Sequence, residues 1–311
     1  MKWPSRRDSS ADQPADDSAP REEDMRGGGD ELVLIHALDG FLSAGGAPRI
    51  AGEQLLSGQG EVVRSFDVDE LYDYRARRPF VTFRQDHYVD YETPRLDVVL
   101  EHDQQGREYL ALVGPEPDFR WEAFIDGVQE VVADLGVTLT LGLGAVPMGV
   151  PHTRPAVITA HGTRTELVDR KNLWQAEVRV PSSAQSLLEL RFAERDLDAA
   201  GYVVHVPHYL AQVDYPPAAQ ALLEAVVDRT GLDLDLTALT SKHDQTMAEI
   251  ERQIAEQGGL DVLSDLEEQY DTFTRGAAQS LLADEEAIPS GEELADQFEQ
   301  FLARQRKDDH D

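Results

Sequence analysis

Apolar and polar positions divide this chain into alternating strands and helices between two polar ends. Leu32-Val33-Leu34-Ile35-His36-Ala37-Leu38 is a continuous apolar run, which predicts a strand covered on both faces. Asp39-Gly40-Phe41 breaks the run, and Ala47 to Leu56 suits a helix. Val62 to Phe66 and Pro79 to Phe83 are short strand candidates around a helix near Asp69–Arg77. Leu96 to His102 and Glu108 to Gly114 alternate. The Asp103–Arg107 connection between them, with Gly106 at a positive-φ position, predicts a β-hairpin. From Phe119 to Leu135, apolar residues including Phe124, Ile125, Val128 and Val132 recur at helical spacing, and Gly136 supplies the stop.

Val137–Leu143, Ala156–Ala160 and Tyr202–Val206 read as further strands. Ser182 with Gln185 predicts a capping box for a helix running through Phe192, and Pro216-Pro217 opens a helix bearing Leu222, Leu223, Val226 and Val227. This alternation predicts an α/β fold, a mostly parallel sheet flanked by helices, with the β-hairpin inserted. After Thr240 the pattern changes. Met247, Ile250 and Ile254 form one apolar stripe, and Leu263, Leu266, Tyr270 and Phe273 form another beyond Gly258-Gly259, so a helical hairpin is expected. A further amphipathic helix carries Leu294, Phe298 and Phe301. The narrow stripes predict a helical appendage with a solvated acidic face, docked on the α/β part or on a second subunit.

The predicted organisation is a disordered acidic tail over 1–30, an α/β domain over 31–240, the helical hairpin and amphipathic helix over 241–303, and a disordered tail over 304–311. With 60 Asp and Glu against 28 Lys and Arg the net charge is −32, and 13 of that excess falls between 241 and 311. Such a chain is a poor ligand for phosphate backbones or anionic bilayers, so neither nucleic acid nor membrane is an expected partner. No apolar run is long enough for a transmembrane helix. Lys2-Trp3-Pro4-Ser5 leads into polar sequence, which predicts no signal peptide and a cytoplasmic protein. The absence of cysteine removes disulfides, thiolate nucleophiles and Cys-ligated zinc.

Candidate chemistry gathers at two glycine clusters. The first, Asp39-Gly40 through Gly45-Gly46, joins a strand to a helix. A turn of this kind can cradle phosphate on helix N-terminal amides. Gly40 and Gly45 have the outer spacing of a P-loop, but Gly46-Ala47 stands where that motif needs Lys and Ser or Thr, so the cluster reads first as a tight turn. The second runs from Gly142 and Gly144 to His152 and Arg154. If both clusters lie at carboxyl ends of strands they share a crevice, with Arg154 a carboxylate or phosphate contact and His152 a proton-transfer group. His152, His161, His205 and His208 lie in the central segment, but their spacing gives no zinc pattern. Buried, hydrogen-bonded histidines are expected instead. There is no Gly-x-Ser-x-Gly elbow, and no base can be assigned to Ser43. No catalytic residue, metal or cofactor is assigned.

Several stretches in order, namely Leu32–Leu56, Phe66–Pro79, Gly114–Trp121, Val146–Pro155 and His205–Tyr209, resemble the bacterial branch of the PAC2 family, named for a proteasome assembly chaperone. The resemblance covers roughly residues 30 to 275. It implies a phosphorylase/hydrolase-like α/β core with an added helical segment, self-association, with a trimer as one arrangement, and a non-enzymatic binding or assembly role with proteasome subunits or another protein as partners. Proteasome-docking members end in a hydrophobic–Tyr–any-residue tail, whereas Asp309-His310-Asp311 closes this sequence, which argues against that docking route. The alternative is a small-molecule or nucleotide-binding enzyme using the crevice at Gly40–Gly46 and Gly142–Arg154.

Overall fold

In the computed structural model, residues 31–56, 59–168, 172, 177–257 and 260–282 are described. The segments 1–30 and 304–311, the Gly258-Gly259 connection and the stretch bearing Leu294, Phe298 and Phe301 lie outside them.

Seven strands form one mixed sheet: β1 (Val33–Asp39), β2 (Glu61–Ser65), β5 (Asp97–His102), β6 (Glu108–Pro115), β7 (Leu139–Met148), β8 (Ile158–Gly162) and β9 (Ala199–Pro207). Their order is β2-β5-β6-β1-β7-β9-β8. The four central strands run parallel, while β2, β5 and β8 pair antiparallel at the flanks. β1 is central because both its faces are apolar. Val33, Ile35 and Ala37 enter one core with α1 (Ala47–Leu55) and α5 (Pro216–Thr230). Leu34 and Leu38 enter the other with α3 (Trp121–Leu135) and α4 (Ala184–Ala193). α3 and α5 each end on a left-handed glycine, Gly136 and Gly231.

The hairpin β5–β6 forms in the expected register, with Gly106 at φ +82° in its turn. Three local expectations are corrected. The helix near Asp69–Arg77 is only α2 (Val68–Leu71), after which the chain is not helical although Tyr72 stays in the core. The strand at Pro79–Phe83 is β3 (Thr82–Arg84), which pairs with β4 (His87–Val89) in a separate two-stranded arm. The capping box is one residue on: Ser183 caps α4 and exchanges bonds with Ser186, not Gln185.

The sheet has two dissimilar edges. β2 is largely exposed and its register with β5 shifts between Val62 and Arg64. At β8, the side-chain amide of Asn172 accepts from Ala160 N and donates to Ala160 O, both at 2.8 Å, in the manner of a neighbouring strand.

Beyond the sheet lie α6 (Thr237–Gln257) and α7 (Leu260–Leu282). Ile250, with Met247 and Ile254 beside it, packs on the α5 core, which explains why the α6 stripe is narrow. No helix among the described residues is long and apolar enough to cross a membrane.

Candidate functional site

The carboxyl end of the central strands is where an α/β protein offers a ligand its polar contacts. Here that rim is filled by the chain's own side chains. Glu116 follows β6, is 7% exposed, and accepts hydrogen bonds from Phe41 N (2.8 Å) and from Ala184 N at the start of α4 (2.6 Å). The partial positive charge of a helix N-terminus attracts an anion, and this carboxylate supplies one. Gly40 makes room for it: a Cβ there would lie 2.0 Å from Glu116 Oε2. Asp39 Oδ1 accepts the Ser43 hydroxyl at 2.5 Å, closing the turn. Gly45 and Gly46 have φ of +64° and +57°; Gly45 N donates to Ala211 O, and Gly45 O accepts from Tyr215 N.

The second glycine cluster is strand as far as Met148. Gly142 and Gly144 lie inside β7, which runs five residues past the expected end at Leu143. A Cβ on Gly144 would sit 3.4 Å from Leu42 Cβ, so the first turn packs directly on the strand. Gly142 belongs to a row across four strands, His36–Gly142–Gly201–His161, set by the registers of β1, β7, β9 and β8. Both histidine rings lie over the glycines, 2.6 Å from where a Cβ of Gly142 would stand and 2.2 Å from that of Gly201. Helix α4 covers the row. Glu189 bonds His161 Nδ1 at 2.7 Å, and Gln185 bonds His36. Burial and the neighbouring His161 lower the His36 pKa to about 3 against the upward pull of the Gln185 bond, so that ring is neutral. His36 Nδ1 is buried without a partner among the described residues.

His152 and Arg154 lie elsewhere, in the loop between β7 and β8, on a cleft of about 590 Å³ bordered by α5 and α6. Asp39, Gly40, Gly45, Gly46, Gly142 and Gly144 do not line it, so the eight candidate residues do not converge. Tyr209 Oη accepts from His152 N (3.1 Å) and lies 2.8 Å from Nδ1. His152 Nε2 is buried without a partner among the described residues. Burial lowers the His152 pKa against the pull of Glu251 and Glu267. Arg154 points its guanidinium at α7: Nε and Nη2 each bond Asp271 at 2.9 Å, and Nη1 is 3.3 Å from Glu267. Thr153 donates to Glu267, and the Tyr270 hydroxyl donates to Pro155 O at 3.0 Å. Arg154 is thereby a clamp on α7.

His205 Nε2 bonds the Thr159 hydroxyl at 2.9 Å, and His208 packs edge-on against Tyr209. Among the described residues no three His, Asp or Glu side chains form a metal-binding group. Residue patterns alone did not single out Glu116, Glu189 or Tyr209, and gave Gln185 only a place in a capping box. For Glu116 a signal existed, a lone carboxylate between Pro115 and Pro117 at the end of a strand.

This architecture has solved counterparts. A Mycobacterium tuberculosis protein of unknown function is 42% identical, with a TM-score of 0.74 over 86% of this chain and 94% of the other. A Corynebacterium glutamicum protein of unknown function is 35% identical, with a TM-score of 0.74 over 78% and 91%. A Mycobacterium tuberculosis proteasome-assembly chaperone homologue is 25% identical, with a TM-score of 0.67 over 72% and 96%. Among curated proteins no sequence match is found. The PAC2 family model matches residues 37–256, well over half of the chain, and the chain belongs to the PAC2 family.

Proposed function

We propose that this chain is a PAC2-type binding or assembly protein that works through its surfaces, without a chemical step of its own, in a proteasome-related assembly. The observation that carries this reading is the occupied rim. Glu116 holds the helix N-terminus an anionic substrate would use, Leu42 packs against Gly144, and Arg154 is spent on Asp271. The solved Mycobacterium tuberculosis proteasome-assembly chaperone homologue gives the assembly its direction. The test uses purified chain and purified proteasome α and β subunits from the same cell. Co-elution with either subunit, or faster appearance of assembled particles, is the expected result. Identical assembly with and without the chain, and no co-elution, overturns it.

The cleft beside His152 carries a second reading, a small organic ligand, because its volume of about 590 Å³ lies within the usual range for ligand sites. Glu224, Asp228 and Glu251 on its walls oppose a nucleotide and favour a cation. A thermal-shift series with nucleotides, phosphate and diamines separates these. A ligand at about 100 times its Kd adds about 2.7 kcal/mol of stability. No shift with any of them removes this reading.

A further inference from the structure

Two helices face each other across the cleft beside His152. Gln220, Glu224 and Asp228 stand at successive turns of α5 and line one wall; His243, Met247 and Glu251 do the same on α6. Gln220 Oε1 meets His243 Nδ1 at 2.9 Å. The connection from Thr230 to Thr237 is short, so α6 reaches that contact by running back along α5. From the contact the two walls therefore extend in opposite directions. At a rise of about 1.5 Å per residue, Glu224 and Asp228 lie about 6 and 12 Å along α5, and Glu251 about 12 Å the other way along α6. The cleft is a trough with carboxylates at both ends.

Its lining is otherwise largely apolar, with Pro155, Pro217, Ala221 and Met247 on its walls. Arg154 borders it, but Asp271 and Glu267 on α7 hold that guanidinium, so it does not cancel the three carboxylates. Glu251 forms no hydrogen bond or ion pair with another described residue, and its charge acts on His152.

His152 gives a second, independent sign of a missing group. It is 4% exposed, Tyr209 takes up Nδ1 at 2.8 Å, and Nε2 has no partner among the described residues. His152 lines the cleft and Tyr209 does not, so the ring edge away from Tyr209, which carries Nε2, is the one on the cleft side. A buried polar atom left alone costs free energy until something pairs with it.

We propose that the trough binds a linear polyamine, with one terminal ammonium group at Glu251, the other at Glu224 and Asp228, and the methylene runs along the apolar wall. The ammonium group at Glu251 donates to His152 Nε2, while the ring's own proton sits on Nδ1 and is given to Tyr209 Oη. A compact cation cannot reach both ends, and a nucleotide brings the wrong sign. This assignment deepens the small-ligand reading of the cleft and rests on it.

The test is calorimetric titration of the full chain with putrescine, spermidine and spermine in about 0.15 M salt, where charges more than about 8 Å apart are screened. One site per chain is expected, with affinity rising from the diamine to the tetraamine. Glu251→Gln and Glu224→Gln/Asp228→Asn alter exposed carboxylates, which keeps the fold. Each is expected to weaken spermine binding by about tenfold or more, as loss of a hydrogen bond to a charged group does. Asp261→Asn/Asp265→Asn, exposed on α7 outside the cleft, is expected to bind as the wild type. Hexaamminecobalt(III), a compact trivalent cation, is expected not to displace spermine at equal concentration. The proton NMR signals of the His152 ring are expected to move as spermine is added. Many weak sites, affinity that does not rise with chain length, or cleft variants that bind as the wild type each overturn the proposal. So do an α7 variant that loses as much, displacement by the cobalt complex, or an unmoved His152 signal. If a nucleoside stabilises the chain and no polyamine does, the small-ligand reading stands and this proposal falls; silence from every compound removes both.

Discussion

Glu116 occupies the space that a side chain on Gly40 would need, with Oε2 only 2.0 Å from the position of the missing Cβ. The two residues hold the turn after β1, the end of β6 and the start of α4 in one contact. Gly40→Ala is therefore expected to cost about 1–3 kcal/mol, as overpacking does. Glu116→Gln is expected to cost about 1.5–3 kcal/mol, because one of the two accepting oxygens becomes an NH2 donor and leaves Phe41 N or Ala184 N without an acceptor. Urea unfolding of Gly40→Ala, Glu116→Ala and the double variant checks the coupling. The double variant should be less destabilised than the sum of the two singles, since the second substitution removes the clash the first creates.

The glycines under the histidine rings should differ in tolerance. Gly142→Ala drives a Cβ against His36, which is 3% exposed and held under α4. Gly201→Ala meets His161, whose side chain is 40% exposed and has solvent to swing into. The first substitution should cost about 1–3 kcal/mol and the second clearly less. Denaturant midpoints of the two variants give the order, and equal losses would count against a locked His36.

Stability should fall on mild acidification. His36 titrates near 3 in the folded chain, against about 6.5 when unfolded. Between those values the unfolded state binds more protons, so stability rises with pH through the window and is lost as pH drops below about 6.5. One fully titrating group contributes at most about 1.4 kcal/mol per pH unit. Burial lowers the pKa of His152 and His205 as well, which adds in the same direction. Chemical unfolding of the wild type and His36→Gln between about pH 5 and 7.5 should show a shallower slope in the variant. An identical slope would remove His36 from the account.

The clamp on α7 should act locally. Arg154→Ala removes the paired bonds to Asp271 and the approach to Glu267. Both sides of the pair are partly exposed, so the global midpoint should move little. Amide exchange in α7 should accelerate while β1 and β7 stay protected, because weakly buried elements open before the core. Uniformly faster exchange would show that α7 supports the whole fold.

Much of this architecture was written in hydrophobic patterning. The unbroken run Leu32–Leu38 marked a strand with two covered faces, and β1 is buried along nearly all its length. The Asp103–Arg107 turn marked its hairpin through one glycine. Patterning misled where glycine hid a continuing strand. Gly144 fell outside the strand expected to end at Leu143, because β-propensity penalises glycine, yet β7 continues through it, and there Gly142 and Gly144 leave room for His36 and Leu42. Of the arm only the first strand was legible, and with shifted bounds, because β3 and β4 are three residues each and exposed, so no burial imposed an alternation. Arg154 was legible as an anion-binding group, but its partners are 113 and 117 positions away on α7, a distance no local pattern spans.

The side chain of Asn172 sits on the middle rung of the outer strand β8. An incoming strand must evict it before fibril-like stacking can start on that flank. On the opposite flank, the slipped pairing at Val62 denies a newcomer an even ladder. Lateral growth of the seven-stranded sheet is thus resisted at both of its ends.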